Sequence, residues 1–216
     1  VLTFAEVFHT TPHALSVKYP HYLPIYETHL APFRGQSVQV LEIGVGCGGF
    51  LQVLQTYLGP QAIVRGLDAN VGNLIPEMIP SVLTGFQEDT EAHRRVFEAL
   101  PSPSIIIDDG GHQPYEQLAS FRGLFPRLAT PGVYIVEDTQ FSYAPKYGGY
   151  KHPGTFIEFV KDRVDDLNAW WAEPGDPQAT DFTKMTFGIH IYPNCVVFEK
   201  TPVLLSSAIR VEVPHA

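Results

Sequence analysis

The sequence predicts an α/β fold: a doubly wound, mostly parallel seven-stranded sheet finished by a C-terminal antiparallel hairpin. Three observations carry this. From residue 38 onward, short runs rich in β-branched residues alternate with helix-length segments, the pattern of strands joined by helical crossovers. Two of the runs, within 104–108 and 133–137, are apolar without alternation, as strands buried on both faces are. Near the C-terminus, 184–191 and 195–199 flank Tyr192-Pro193-Asn194, a turn signal between two strands.

Taken in order, residues 1–35 are rich in His, Tyr and Pro, with a helix over 22–32. They read as a cap segment laid on a domain spanning 36–216. Strand 38–43 runs through a glycine turn into helix 50–57; strand 62–68 and a short strand 82–86 follow. Helix 91–100 is closed by Pro101 and Pro103, which cannot continue it. Strand 104–108, crossover helix 115–128 and strand 133–137 complete the parallel set. A Tyr/Gly-rich loop at 141–153 is longer than a plain connection and reads as functional, with Tyr143, Tyr147 and Tyr150 as a lid. Helix 155–171 places Phe156, Val160, Val164, Leu167 and Trp171 on one apolar stripe.

Composition bounds the function. With 216 residues, 44% of them hydrophobic and 17% charged, the chain holds one sizeable core. A net charge of −9 argues against nucleic acid as partner, since phosphate binding needs a basic surface. The apolar stretches are strand-sized, so no membrane span is expected. Val1 is not followed by a signal-peptide pattern, and the missing Met points to a processed or excised chain. Cys47 and Cys195 form no disulfide framework, which makes a reducing, cytoplasmic setting the expectation.

The chemistry gathers at strand ends. Ile107-Asp108-Asp109-Gly110-Gly111-His112 and Val136-Glu137-Asp138 each stop an apolar run on carboxylates. Open α/β sheets bind ligands beyond the carboxyl ends of their strands, so Asp109, Glu137 and Asp138 would share a crevice. These oxygen donors suit Mg²⁺ or Mn²⁺ rather than a thiol-loving metal. His112 beside them fits a general base. Asp108 would point away from that crevice, toward backbone or cofactor, because neighbours on a strand diverge.

Leu41-Glu42-Ile43-Gly44-Val45-Gly46 forms the glycine turn, and Asp68 ends the second strand where a ribose diol would be held. Gly44, Gly46 and Gly49 match a dinucleotide fingerprint, yet Glu42 disfavours a pyrophosphate. S-adenosylmethionine, cationic and without phosphate, suits such acidic surroundings better. Gln87 or Asp89, after the third strand, could accept from an adenine amino group; Asp89 equally fits a helix N-cap. A nicotinamide-dependent oxidoreductase and a non-catalytic cofactor-binding domain remain alternatives.

These motifs, with Val136-Glu137-Asp138-Thr139, resemble the metal-dependent class I methyltransferases of macrolide deoxysugars, typified by the mycinamicin and tylosin sugar O-methyltransferases. The resemblance implies a Rossmann-like methyltransferase fold and methyl transfer from S-adenosylmethionine to a hydroxyl of a small natural product. It implies Mg²⁺ at Asp109, Glu137 and Asp138, with His112 as base. Two features depart from the family: Gly111 stands where members carry Ser, and only Lys18-Tyr19-Pro20-His21-Tyr22 matches their longer N-terminal assembly region. Assembly as a homo-oligomer or within a larger synthase is the corresponding expectation.

Overall fold

In the computed structural model, residues 1–11 and 14–203 are described. They form one seven-stranded sheet in the order β3-β2-β1-β4-β5-β7-β6. The strands are β1 (Gln39–Ile43), β2 (Ile63–Asp68), β3 (Val82–Thr84), β4 (Ile105–Asp108), β5 (Gly132–Val136), β6 (Thr186–Tyr192) and β7 (Cys195–Lys200). The first five pair in parallel; β7 runs antiparallel to both β5 and β6. This is the doubly wound sheet with an antiparallel edge that the residue pattern predicts.

Helices cover both faces. One is packed by α1 (Phe4–Thr10), α2 (Tyr22–Leu30) and α3 (Gly49–Leu58), the other by α4 (Thr90–Ala99), α5 (Pro114–Leu124) and α6 (Phe156–Asn168). The two cores share no residue, because strand side chains alternate between faces. Val40, Val64, Ile105, Ile107, Val133 and Ile135 join the α1–α3 core. Leu41, Ile43, Leu67, Ile106, Tyr134 and Val136 join the α4–α6 core. By the same parity Glu42, Asp68, Asp109 and Glu137 fall on the α1–α3 side and Asp108 on the other. The register then sets Ile43 opposite Asp108, and Asp108 opposite Val136, so the acidic ends are level.

Several expectations are adjusted. β3 has three residues, since the chain turns at Gly85. α1, missed by periodicity over so short a span, carries a legible signature: Thr3 and Glu6 form a capping box. A five-residue helix, α7 (Asp181–Met185), precedes β6. α6 starts at its Thr155 cap, but only Phe156, Ile157, Phe159 and Val160 are buried; Val164 and Trp171 of the expected stripe face solvent. The hairpin turn is Pro193-Asn194, with Asn194 at φ +61°, as the second central residue of a type II turn requires. None of the described helices is long and apolar enough to cross a membrane.

Candidate active site and metal centre

The ends of β1, β2, β4 and β5 open into a cavity of about 580 Å³ on the α1–α3 side, within the range of small-molecule sites. Glu42, Gly44, Gly46, Asp68, Asp109, His112, Glu137 and Asp138 all line it. Strand parity brings Glu42, Asp68, Asp109 and Glu137 together, and the loops beyond the strand ends add Gly44, Gly46, His112 and Asp138, up to 96 positions apart in sequence.

The glycine turn is held from behind. Asp68 Oδ2 accepts from Val45 N at 2.8 Å and Gly46 N at 3.1 Å, and its Oδ1 accepts from Asn70 N at 2.7 Å. Gly44 sits at φ +82°, where a Cβ would stand 2.0 Å from the Asp109 carbonyl oxygen. Glycine is therefore dictated by both conformation and contact. A smaller cavity of about 290 Å³ adjoins the first, sharing Gly44, Asp68 and Gly110 and adding Gln87 and Glu116. Together they form one elongated cleft across the strand ends.

Asp108 and Asp89 are placed elsewhere. Asp108 is fully buried on the α4–α6 side, accepting from Gln87 Nε2 at 3.1 Å and Tyr134 Oη at 3.3 Å. Burial pushes its carboxyl up to about 7, against the lowering effect of the Gly110 N–H and Gln87. It lines neither cavity and points away from the acidic centre, toward the Gly110 backbone N–H at 3.4 Å, which is the backbone one of the two directions expected for it. Asp89 is the N-cap of α4, accepting from Glu91 N at 2.9 Å, and also lines neither cavity. Its helix-cap reading is the one the geometry carries.

The acidic centre contains a side chain that sequence reasoning missed. Lys18 Nζ lies 2.7 Å from Asp109 Oδ2 and 3.0 Å from each oxygen of Glu137, with the lysine side chain only 3% exposed. Burial alone would lower its pKa, but Glu137, Asp109 and Glu42 outweigh burial and hold the ammonium charged. Burial raises Glu137 to about 7 despite Lys18, while Tyr26 Oη donates to its Oε1. Glu42 is pushed well above the usual carboxylate range, chiefly by burial, and its Oε2 has no hydrogen-bond partner among the described residues. Tyr22 Oη lies 2.9 Å from Asp138 Oδ1 and accepts from Asp138 N at 3.1 Å. The i, i+4 spacing of Tyr22 and Tyr26 on α2 puts both phenols on one helix face, and with His21 they are the residues expected to close this side of the crevice.

His112 and Asp138 both adopt left-handed backbone, at φ +59° and +54°. Such conformations concentrate at functional sites. His112 Nε2 lies 3.5 Å from Asp138 Oδ2, and its ring stacks on Phe141 at 5.0 Å. Donor atoms of Asp109, His112 and Asp138 lie within 4.8 Å of one another. Asp109, Glu137 and Asp138 offer the oxygen donors that a hard divalent cation takes, and the Lys18 ammonium occupies the Asp109 and Glu137 carboxylates that such a cation would share.

The N-terminal residues 15–19, and none of the 141–153 loop, line the cavity. That strap is seated on α3: Ala14 N donates to Gln52 Oε1 at 2.7 Å. A Cβ on Gly49 would stand 2.1 Å from the Ala14 carbonyl oxygen. Of the tyrosines expected as a lid, Tyr147 packs on Phe141, and Tyr143 and Tyr150 face each other in solvent.

No protein-family model matches the chain. It is 36% identical over 192 residues to the 8-demethyl-8-(2-methoxy-α-L-rhamnosyl)-tetracenomycin-C 3'-O-methyltransferase of Streptomyces olivaceus, covering 83% of this chain and 49% of that protein. It is 31% identical to the mycinamicin VI 2''-O-methyltransferase of Micromonospora griseorubida, over 83% of this chain and 48% of the relative. A solved structure of the MycE methyltransferase of the mycinamycin pathway, in complex with Mg and SAH, superposes with a TM-score of 0.74 at 26% identity. It covers 92% of this chain and 54% of MycE. The chain spans about half the length of the curated relatives it matches. Over that half, with its Rossmann-like sheet, the chain is a homologue of the sugar O-methyltransferases of macrolide and tetracenomycin biosynthesis.

Proposed function

We propose that the chain carries the catalytic domain of an S-adenosylmethionine-dependent O-methyltransferase acting on a sugar hydroxyl of a glycosylated polyketide or macrolide. The observation that carries this reading is the meeting of two residue sets in one cavity. Gly44, Gly46 and Asp68 form the donor side; Asp109, His112, Glu137 and Asp138 form the acceptor side. The relatives named above support the reaction class, and the Mg and SAH in MycE support the cofactors.

Asp109, Glu137 and Asp138 are the residues to hold Mg²⁺ or Mn²⁺, with donor chemistry suited to either. Bound there, the metal would lower the pKa of the acceptor hydroxyl. Asp68 and the glycine turn it braces line the cavity where the methyl donor would bind, and Gln87 lines the adjoining cavity where its adenine would lie. The methyl C–S bond breaks as the C–O bond forms, in line, leaving S-adenosylhomocysteine. His112 takes the hydroxyl proton, its ring held in place by Phe141. Positioning of the two reactants supplies much of the rate. The acidic chain favours a small acceptor over nucleic acid, and the unbridged Cys47 and Cys195 fit the cytoplasm.

The test is S-adenosylhomocysteine release from a panel of glycosylated polyketides. Expected is turnover that stops on chelation and falls ~10²–10⁴-fold in His112→Ala. Turnover indifferent to chelator removes the metal, and binding of NADH instead of S-adenosylmethionine overturns the reading.

A further inference from the structure

A second cluster of ligating side chains lies away from the cavity, where the last turn of α2 meets the edge hairpin. His29, His190 and Glu199 come from α2, β6 and β7. Strand parity explains the meeting. His190 pairs with Val197, Tyr192 pairs with Cys195, and Val197 and Cys195 belong to the α1–α3 core. Glu199, two residues beyond Val197, shares that side, where α2 packs. On α2, Tyr22, Tyr26 and His29 follow the i, i+4, i+7 spacing of one helix stripe. The stripe therefore touches the acidic centre with its first two members and this cluster with its third.

The geometry points to a site for a divalent transition-metal ion of the zinc type: we infer that His29 Nδ1, His190 Nε2 and Glu199 Oε1 are its ligands. Glu199 Oε1 lies 3.3 Å from His29 Nδ1 and 3.2 Å from His190 Nε2. Donors bound to zinc at about 2.0–2.1 Å stand about 3.3–3.4 Å apart on a tetrahedron. The remaining edge is no longer than 4.8 Å, and the partly exposed His190 and Glu199 can close it. Apart from the Glu199 carboxylate, neither nitrogen has a polar partner among the described residues, although the His29 side chain is only 1% exposed. Both imidazole nitrogens thus converge on one carboxylate oxygen.

The other nitrogen of His29 is fixed. Its Nε2 lies 3.0 Å from Tyr192 Oη. With the proton on Nε2, the Nδ1 lone pair faces the cluster. Ligating histidines are typically oriented by such an outer hydrogen bond. Two imidazoles and one carboxylate suit a borderline cation; Mg²⁺ prefers oxygen donors alone. The consequence is mechanical: the ion would pin α2 to the edge hairpin and so hold Tyr22 and Tyr26 over Asp138 and Glu137.

Zn²⁺ titration of the full chain by equilibrium dialysis, in excess Mg²⁺ to occupy the acidic centre, tests this. Co²⁺ absorption in the visible region is the second readout. One tightly held equivalent is expected, with a rise in unfolding temperature on adding Zn²⁺. His190→Ala and Glu199→Gln should each weaken binding more than ~100-fold and abolish that rise, and Tyr192→Phe should weaken it ~10-fold. Asp109→Asn should leave the equivalent in place. No bound equivalent in the wild type, binding untouched by His190→Ala and Glu199→Gln, or binding lost in Asp109→Asn overturns the inference. In the first case the trio is a proton-sharing pair with its counter-ion.

Discussion

Lys18 places its ammonium between Asp109 and Glu137 and 4.2 Å above the Phe50 ring. Buried carboxylates at such spacing need a cation, and the Lys18 ammonium supplies one. Lys18→Met keeps the stem and removes the charge. In chelator it should lose ~3–5 kcal/mol of stability, the usual cost of breaking a buried pair. Added Mg²⁺ should restore much of the loss; thermal unfolding in the two buffers reads both effects. Equal unfolding temperatures in chelator would mean that Lys18 does not neutralise the site. Asp108 makes a different prediction. Its folded-state pKa, raised by burial to about 7 from 3.8, means that the folded protein holds its proton more tightly than the unfolded chain. Its contribution to stability is complete below pH ~4 and is lost as pH rises through about 7. Asp108→Asn should flatten the stability profile over that window, measured by denaturant unfolding at several pH values. Neither role was visible beforehand, because Lys18 meets Asp109 across 91 positions and Asp108 meets Gln87 across 21.

Among the elements, the β1–α3 turn was the most legible, since glycines spaced after an apolar run have few other uses. The reason for Gly44 is sharper than the motif: its missing Cβ leaves room for the β4 backbone at Asp109. Gly44→Ala must therefore separate β1 from β4 as well as strain φ. We expect a loss of at least ~1–2 kcal/mol from the left-handed conformation alone, together with lost S-adenosylmethionine binding, read by calorimetry. Unchanged affinity and stability would show that the turn has slack. α6 and the 141–153 loop were less legible. Periodicity finds the apolar face of α6 but not where its cover stops, so Val164 and Trp171 were assigned to a core that they do not enter. The lid was assigned to the tyrosine-rich loop on composition; the strap at 15–19 takes that place because Gly49 lets Ala14 close on α3.

Across the whole molecule, the sheet order puts β1, β4 and β5 between covered neighbours and leaves the three-residue β3 at one edge. Hydrogen exchange should accordingly be slowest in β1, β4 and β5 and fastest, among the parallel strands, in β3. Protection in β3 equal to that in β4 would contradict this layering. The fold class and the acid-tipped strands were determined by the sequence by itself, because burial on two faces writes a continuous apolar run and alternation fixes which ends share a side. Asp109 and Glu137 were readable for that reason, whereas Asp138 and His112 reach the same cavity through left-handed backbone beyond the strand ends. The contributions of α2 and the N-terminal strap were decided only by tertiary structure. Lys18, Tyr22, Tyr26 and His29 reach their partners through the packing of a short helix on a distant sheet face, and no local period encodes which carboxylate a lysine or a phenol will meet.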